Sequence, residues 1–249
     1  VAVVNTAVLL SFCRFPSTVM MIYADLIALG SAQVLFEVAR TSIWYLGLEP
    51  FVRRTWPQIL ISSSRLLEGR WKDPLVSRDV LAGLALGALC TVAVRLNVVA
   101  HLARAAEIQW TPLFNPGVMT GTRELLGAAA FAHSVSFFSA IFILMILLVN
   151  RIIFRSETRA LIATYIVVAI VVTTTLGGNP AITARVGLTL GAAILFVLAR
   201  FGILALIVFS SCRFLVDSFP LTFDTSKWYF AHGLVGICIL LSIAALALF

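Results

Sequence analysis

Few side chains in this sequence of 249 residues could do chemistry, and most of them sit where charge is costly. Asp25, Glu37 and Arg40 interrupt one apolar run, Arg95 a second and Arg200 a third. An ionisable group at the centre of a lipid-facing helix costs about 3 kcal/mol even on lenient scales, so each needs a partner or a task. Glu37 and Arg40 are three apart and can pair on one helical face. Arg95 and Arg200 lie deeper in their runs, and Asp25 and Glu37 are the acids available to them. The expectation is an intramembrane polar clamp between helices, built from Glu37, Arg40, Arg95 and Arg200. The competing readings are a site for an anionic substrate or lipid headgroup, and snorkelling to the interface.

The other reactive types form no site. His133 lies inside an apolar run, "AAAFAHSVSFF", where an imidazole could ligate a haem iron or a chlorophyll magnesium. No second histidine stands at a helical spacing that would complete a bis-histidine pair on one helix. His133 is therefore expected to pack or hydrogen-bond, and no cofactor is expected. Cys13, Cys90, Cys212 and Cys238 are far apart and contain no C-x-x-C, so neither zinc nor a disulfide framework is supported. Ser62-Ser63-Ser64 has no histidine nearby in sequence, and no H-E-x-x-H, phosphate-binding loop or EF-hand pattern occurs. The chain reads as a non-enzyme.

The elements that must hold these residues follow from composition. Hydrophobic residues make up 61% of the chain and charged ones 12%, against about 25% charged in soluble domains. That leaves too little polar surface for a water-facing globule. Long unbroken apolar runs, rather than short alternating strands, point to membrane-spanning helices. The expected fold is all-α, a single polytopic transmembrane domain over 1–249. Its six to seven spans are placed at about 1–14, 17–48, 78–103, 122–154, 157–176, 183–216 and 227–249. The Arg200-Phe201-Gly202 step is a candidate kink in the sixth. Gly83-x-x-x-Gly87 and Gly187-x-x-x-Gly191 are expected to let helices approach closely inside the bundle. Residues 1–13 lack a basic leading segment, and no signal peptide is expected.

One stretch breaks the apolar pattern: "EPFVRRTWPQILISSSRLLEGRWKDPLVSRD", residues 49–79. Its loop and those expected to share its side carry Arg53, Arg54, Arg65, Arg70, Lys72, Arg78, Arg151, Arg155, Arg159, Arg213 and Lys227. The opposite side carries Arg14, Arg104, Arg123 and Arg185. Eleven against four is a positive-inside bias, which places the N-terminus in the cytoplasm and, with seven spans, the C-terminus outside. The net charge of +7 thus reads as topology rather than nucleic-acid binding. Within the stretch, Thr55 is a candidate cap, Pro57 suits a first turn and Gln58 completes a capping box. Trp56, Leu60, Leu67 and Trp71 recur at helical spacing, with Gln58, Ser62, Arg65 and Lys72 opposite. The expectation is an amphipathic helix over about 55–72 lying in the cytoplasmic interface, with Ser77 capping the next span. Arg53, Arg54, Arg65, Arg70 and Lys72 would then fix orientation, or dock anionic lipid headgroups or a partner.

The segment "YLGLEPFVRRTWPQILISSSRLLEGRWKDPLVSRDVLAGLALG" (45–87) resembles the membrane module found C-terminal to the catalytic domain in some bacterial serine/threonine protein kinases. So do "LARFGILALIV" (198–208), "FPLTFDTSKWY" (219–229) and the "GGNP" turn (177–180). The similarity covers about 60% of the chain. It implies a bacterial inner-membrane bundle, with a cytoplasmic kinase domain upstream in that family. No glycine-rich loop, V-A-I-K lysine, H-R-D loop or D-F-G is present, so no kinase residue carries over. The leading expectation is a non-catalytic membrane anchor or interaction module. The alternatives are an accessory subunit of a larger respiratory or photosynthetic inner-membrane complex, and a small transporter using Glu37, Arg95 and Arg200. Expected partners are anionic lipids and other membrane subunits, and not nucleic acid.

Overall fold

The apolar runs become helices. A computed structural model describes residues 19–105, 116–176, 180–220, 222 and 224–248, and no strand occurs among them. The helices are α1 (Val19–Thr55), α2 (Pro57–Leu67), α3 (Pro74–Ala105), α4 (Thr122–Phe154), α5 (Glu157–Leu176), α6 (Pro180–Phe201), α7 (Ile203–Ser218) and α8 (Phe230–Leu248). A 3-10 turn, Pro116–Met119, precedes α4. Five of them, α3, α4, α5, α6 and α8, contain stretches long and apolar enough to cross a membrane. The expected first span, 1–14, lies outside the described residues, as does the loop over 106–115.

Several boundaries differ from the sequence reading, and three of them have a local reason. α1 runs on through Pro50 to Thr55 instead of stopping at 48. α3 starts at Pro74 rather than 78, and Asp73 caps it rather than Ser77, which lies inside the helix: the Asp73 Oδ1 accepts the Leu75 N–H at 2.9 Å. Proline then occupies the first helical position, where no N–H is needed.

The third difference reorganises the bundle. The expected sixth span, 183–216, is two helices that meet at Gly202. This residue has φ 88° and ψ −172°, a conformation open in practice only to glycine. α6 lies antiparallel to α5, with Gly187 facing Ala169 and Thr173, and Gly191 facing Tyr165. α4 runs opposite to α5, and the Asn150 amide donates to Thr164 Oγ1 at 3.0 Å near their turn. α4 also runs opposite to α7. Its early residues Leu125 and Ala129 cluster with Leu215 and Phe219, while Ile141 and Leu144 border Ile203. α7 therefore runs opposite to α6. The expected kink is a reversal of the chain.

After the reversal α7 lies parallel to α3 in the middle of the bundle. A Cβ on Gly83 would come within 2.6 Å of the Ala205 carbonyl oxygen, and one on Gly87 within 2.8 Å of that of Phe209. Lipid tails are as apolar as leucine, so burial in a bilayer gains little transfer energy. Close backbone approach through small residues is what makes such packing favourable. Ala205 and Leu206 are fully buried and Phe209 nearly so. α8 returns antiparallel to α3: Gly236 packs on Phe219, and Ala247 borders Val76 and Val80. One end of the bundle thus gathers the ends of α1, α4, α6 and α8, the starts of α3, α5 and α7, and all of α2. We call this the collar end.

Gly202→Ala forces a side chain into a backbone conformation it rarely adopts and against the Ile59 carbonyl, 2.6 Å away. A loss of about 1–3 kcal/mol is expected. Gly47→Ala, in α1 with open space around it, is the control, and its higher helix propensity is worth up to about 1 kcal/mol. Thermal unfolding in detergent checks the pair: a clear fall in Tm for the first and none for the second. Equal melting temperatures contradict the reversal.

Candidate functional site

The polar stretch that stood out in the sequence builds the collar, and α2 is its centre. Pro57 starts this helix, and Trp56, Ile59 and Leu60 turn into the bundle and are buried. Three contacts hold it. The Ile59 carbonyl lies on Gly202, where any side chain would collide with it. The Ser62 hydroxyl donates to Asp79 Oδ2. The Trp56 indole N–H donates to Glu157 Oε1 at 3.3 Å, tying α2 to α5. Asp79 is only 1% exposed and is satisfied twice more at Oδ1, by Arg78 Nε at 2.9 Å and Nη2 at 2.8 Å. The Arg78 guanidinium also lies 5.9 Å from the ring centre of Phe201, at the end of α6. A buried carboxylate with several donors is the arrangement a low-dielectric site requires.

The remaining arginines of the stretch are held by its own acids. Arg53 donates through Nε to Glu49 Oε1 at 2.7 Å and through Nη2 to Ser64 Oγ at 3.2 Å. Arg65 donates through Nη1 to Asp73 Oδ2 at 2.7 Å. Arg70 Nε stands 3.5 Å from Glu68 Oε2. Arg53, Arg65 and Arg70 line one cavity of about 420 Å³. Arg54 and Lys72 are exposed and join no ion pair among the described residues. The Leu75 N–H, and after it the Arg65 guanidinium, hold the Asp73 carboxyl below its ordinary 3.8.

Helix α2 is shorter than the expected 55–72, and the face it buries is partly a different one. The helix is Pro57–Leu67, and Thr55 ends α1, its hydroxyl donating back to the Phe51 carbonyl at 3.0 Å. Ser62, expected outside, faces inward to Asp79. Leu67 and Trp71, expected to share the face of Trp56 and Leu60, are 75% and 55% exposed. The notch at Gly202 and the buried Asp79 select which side of α2 turns inward, and neither is visible in the periodicity of α2.

The four expected clamp residues do not come together. Glu37 and Arg40 do pair, and Arg40 lies 4.3 Å over the Phe138 ring of α4. Arg95 is elsewhere, on α3, about 30 Å along that helix from Pro74 at 1.5 Å per residue. Its Nη2 donates to Asp217 Oδ1 at 3.0 Å and to the Val216 carbonyl at 3.2 Å, and Arg213 Nη1 reaches Asp217 Oδ2 at 3.2 Å. Asp217, which the sequence reading missed as a partner, carried one signal: it sits four residues after Arg213. Arg200 is exposed at the collar end and joins no ion pair among the described residues. The reversal explains this, since it turns the supposed middle of a long span into the end of α6. The same reversal carries Arg213 and Lys227 away from the collar to the opposite end.

His133 borders an apolar cavity of about 330 Å³ with Phe137, Trp71 and Ser211. Among the described residues no group of three His, Cys, Asp or Glu is placed to hold a metal. Cys212 leans its thiol on the Leu84 carbonyl at 3.6 Å. The three serines 62–64 each hold a structural bond: to Asp79, to the Leu60 carbonyl at 2.9 Å, and from Arg53.

Asp79→Ala strips three hydrogen bonds and is expected to destabilise by about 2 kcal/mol or more. Ser62→Ala costs less, because Arg78 still satisfies the acid. A double-mutant cycle on unfolding in detergent is expected to show coupling above about 0.5 kcal/mol, and additive losses would contradict the contact. Asp73 gives a pH signature. A carboxyl held low contributes stability that is present above its ordinary pKa and lost as the pH falls through its folded value. A carbon-13 carboxyl titration should therefore find its midpoint below 3.8, and a midpoint at or above that value would contradict the cap.

Comparison with protein-family models, with curated proteins and with solved structures finds no match to this chain.

Proposed function

We propose that this chain is a non-catalytic membrane anchor and docking module of a bacterial inner membrane, of the kind that follows the catalytic domain in some bacterial serine/threonine protein kinases. The observation that carries this reading is the collar. The "LEPFVRR…DPLVSRD" block, which carries the resemblance, pairs its arginines with its own acids and closes the bundle end around α2. Its charges do structural work on each other. Around it Arg54, Lys72, Arg151, Arg155, Arg159 and Arg200 have no ion-pair partner among the described residues. A basic rim of this kind favours the cytoplasmic surface.

The orientation follows from that rim. The collar end faces the cytoplasm, and α1 and α7 complete the crossing set begun by the five apolar helices. The N-terminus is cytoplasmic if the expected first span, 1–14, crosses. The C-terminus, expected outside, moves to the cytoplasm, because the reversal at Gly202 adds a crossing. The two other readings draw less support. An accessory subunit of a respiratory or photosynthetic complex would use the apolar outer face of α1, where Leu35, Phe36, Ile43 and Leu46 are exposed, but lipid suits that face equally well. A transporter would use Glu37, Arg95 and Arg200, which stand apart.

Two measurements test this. A fluorescent reporter fused after Phe249 is expected to fold and fluoresce inside the cell, whereas alkaline phosphatase there stays inactive; the reverse result overturns the orientation. Extraction from the native membrane in mild detergent, followed by mass spectrometry, identifies what travels with the chain and its true N-terminus. Kinase-domain peptides joined upstream support the module reading. Stoichiometric foreign subunits with no upstream extension replace it with the accessory-subunit reading.

A further inference from the structure

Among the five basic residues expected to serve as a lipid or partner dock, the fold treats three differently from the other two. Arg54 and Lys72 are exposed and do not line it, while Arg53, Arg65 and Arg70 line one open cavity of about 420 Å³. Each of the three is held by a carboxylate that occupies only part of its guanidinium. Arg53 uses Nε and Nη2, on Glu49 and Ser64. Arg65 uses Nη1 on Asp73, and Arg70 is loosely held, its Nε 3.5 Å from Glu68. A guanidinium has five N–H donors. The remaining donors of three guanidiniums have no acceptor among the described groups.

Charge alone does not decide what the cavity takes. Residues 49–79 contain six basic and four acidic side chains, so the stretch is a weak attractor at long range. What the cavity offers is geometry: the forked donors of three arginines line one space, beside Ser64 and Glu68, and a guanidinium fork matches the oxygens of a phosphate. The wall beside them is apolar. Leu60 and Ile61 line the cavity, and Ile61, with Phe51 at the end of α1, is exposed to the surroundings. A polar cradle that opens beside exposed apolar side chains fits a molecule with a charged head and an oily tail.

We infer that this cavity is a binding site for the phosphate of an anionic phospholipid headgroup, held by Arg53, Arg65 and Arg70, with the lipid's chains lying along α1 and α2. The inference rests on the reading that the collar end lies at the membrane surface. It goes further, because it names one lipid class and one set of residues in place of a diffuse basic rim.

The test is native mass spectrometry of the full chain in detergent, titrated with phosphatidylglycerol and with phosphatidylcholine carrying the same acyl chains. Phosphatidylglycerol is expected to bind more tightly. Arg70→Gln, which spares the tightly held pairs, is expected to weaken it roughly tenfold, the size of one lost charge-assisted hydrogen bond. Arg65→Lys, which keeps the charge and loses the fork, should weaken it as well. Arg54→Gln, with the same charge change outside the cavity, should leave binding unchanged. Equal weakening by Arg54→Gln and Arg70→Gln overturns the site in favour of diffuse attraction, and no preference between the two lipids overturns it outright. Displacement of the lipid by inorganic phosphate overturns the lipid as the occupant. Alkaline carbonate extraction of the same variants separates the two levels: chain retained in the membrane in any of these cases leaves the membrane reading standing, and chain released removes both.

Discussion

A backbone carbonyl pressed against a glycine holds this structure together. Ile59 of α2 sits on Gly202, the single residue between α6 and α7, so closely that a methyl group there would lie 2.6 Å from its oxygen. The contact fixes two things at once. It keeps the chain in the extended, positive-φ conformation that turns α7 back through the bundle, and it fixes which face of α2 turns inward. With α7 reversed, α3 gains a parallel neighbour that its glycines can meet at backbone distance, and α4 gains the other side of α7. The central helix is 16 residues long, with ten of them buried and none exposed. Its packing depends on a turn that only glycine can make.

The polar stretch is the counterpart of that turn. A bundle end where four helices stop and three begin leaves carbonyls, N–H groups and side chains there to be satisfied. Here the chain supplies its own solution. Asp73 caps α3, Asp79 is buried among Ser62 and Arg78, and Glu157 takes the Trp56 indole. Four of the arginines pair with acids of the same stretch, Glu49, Glu68, Asp73 and Asp79. At the opposite end a smaller version recurs, with Arg95 and Arg213 sharing Asp217.

Much of this was legible in the sequence. The all-helical character followed from unbroken apolar runs, and the boundaries of α4 and α5 fell almost where composition put them, because Arg155-Ser156 punctuates them. The Glu37–Arg40 pair followed from a spacing of three. What could not be read depended on distant partners. Gly202 looks like a mild interruption until Ile59 is seen against it. Ser62 looks like a solvent residue until Asp79 is buried beside it. Arg200 looked deep because a long run without polar punctuation gives no sign that the chain turns around inside it. Once the run was read as one span, Arg213, Lys227 and the C-terminus were all assigned to the wrong end.

Hydrogen–deuterium exchange on the purified protein, read by mass spectrometry over residues 57–67, addresses the central claim most directly. A helix wedged at Gly202 and bonded to Asp79 must open the bundle end before its amides exchange. Protection comparable to that of α3 and α7 is the expected result, reduced throughout 57–67 by Gly202→Ala. Complete exchange within seconds, with α3 and α7 still protected, would show α2 to be a loosely attached surface helix and would contradict the wedge.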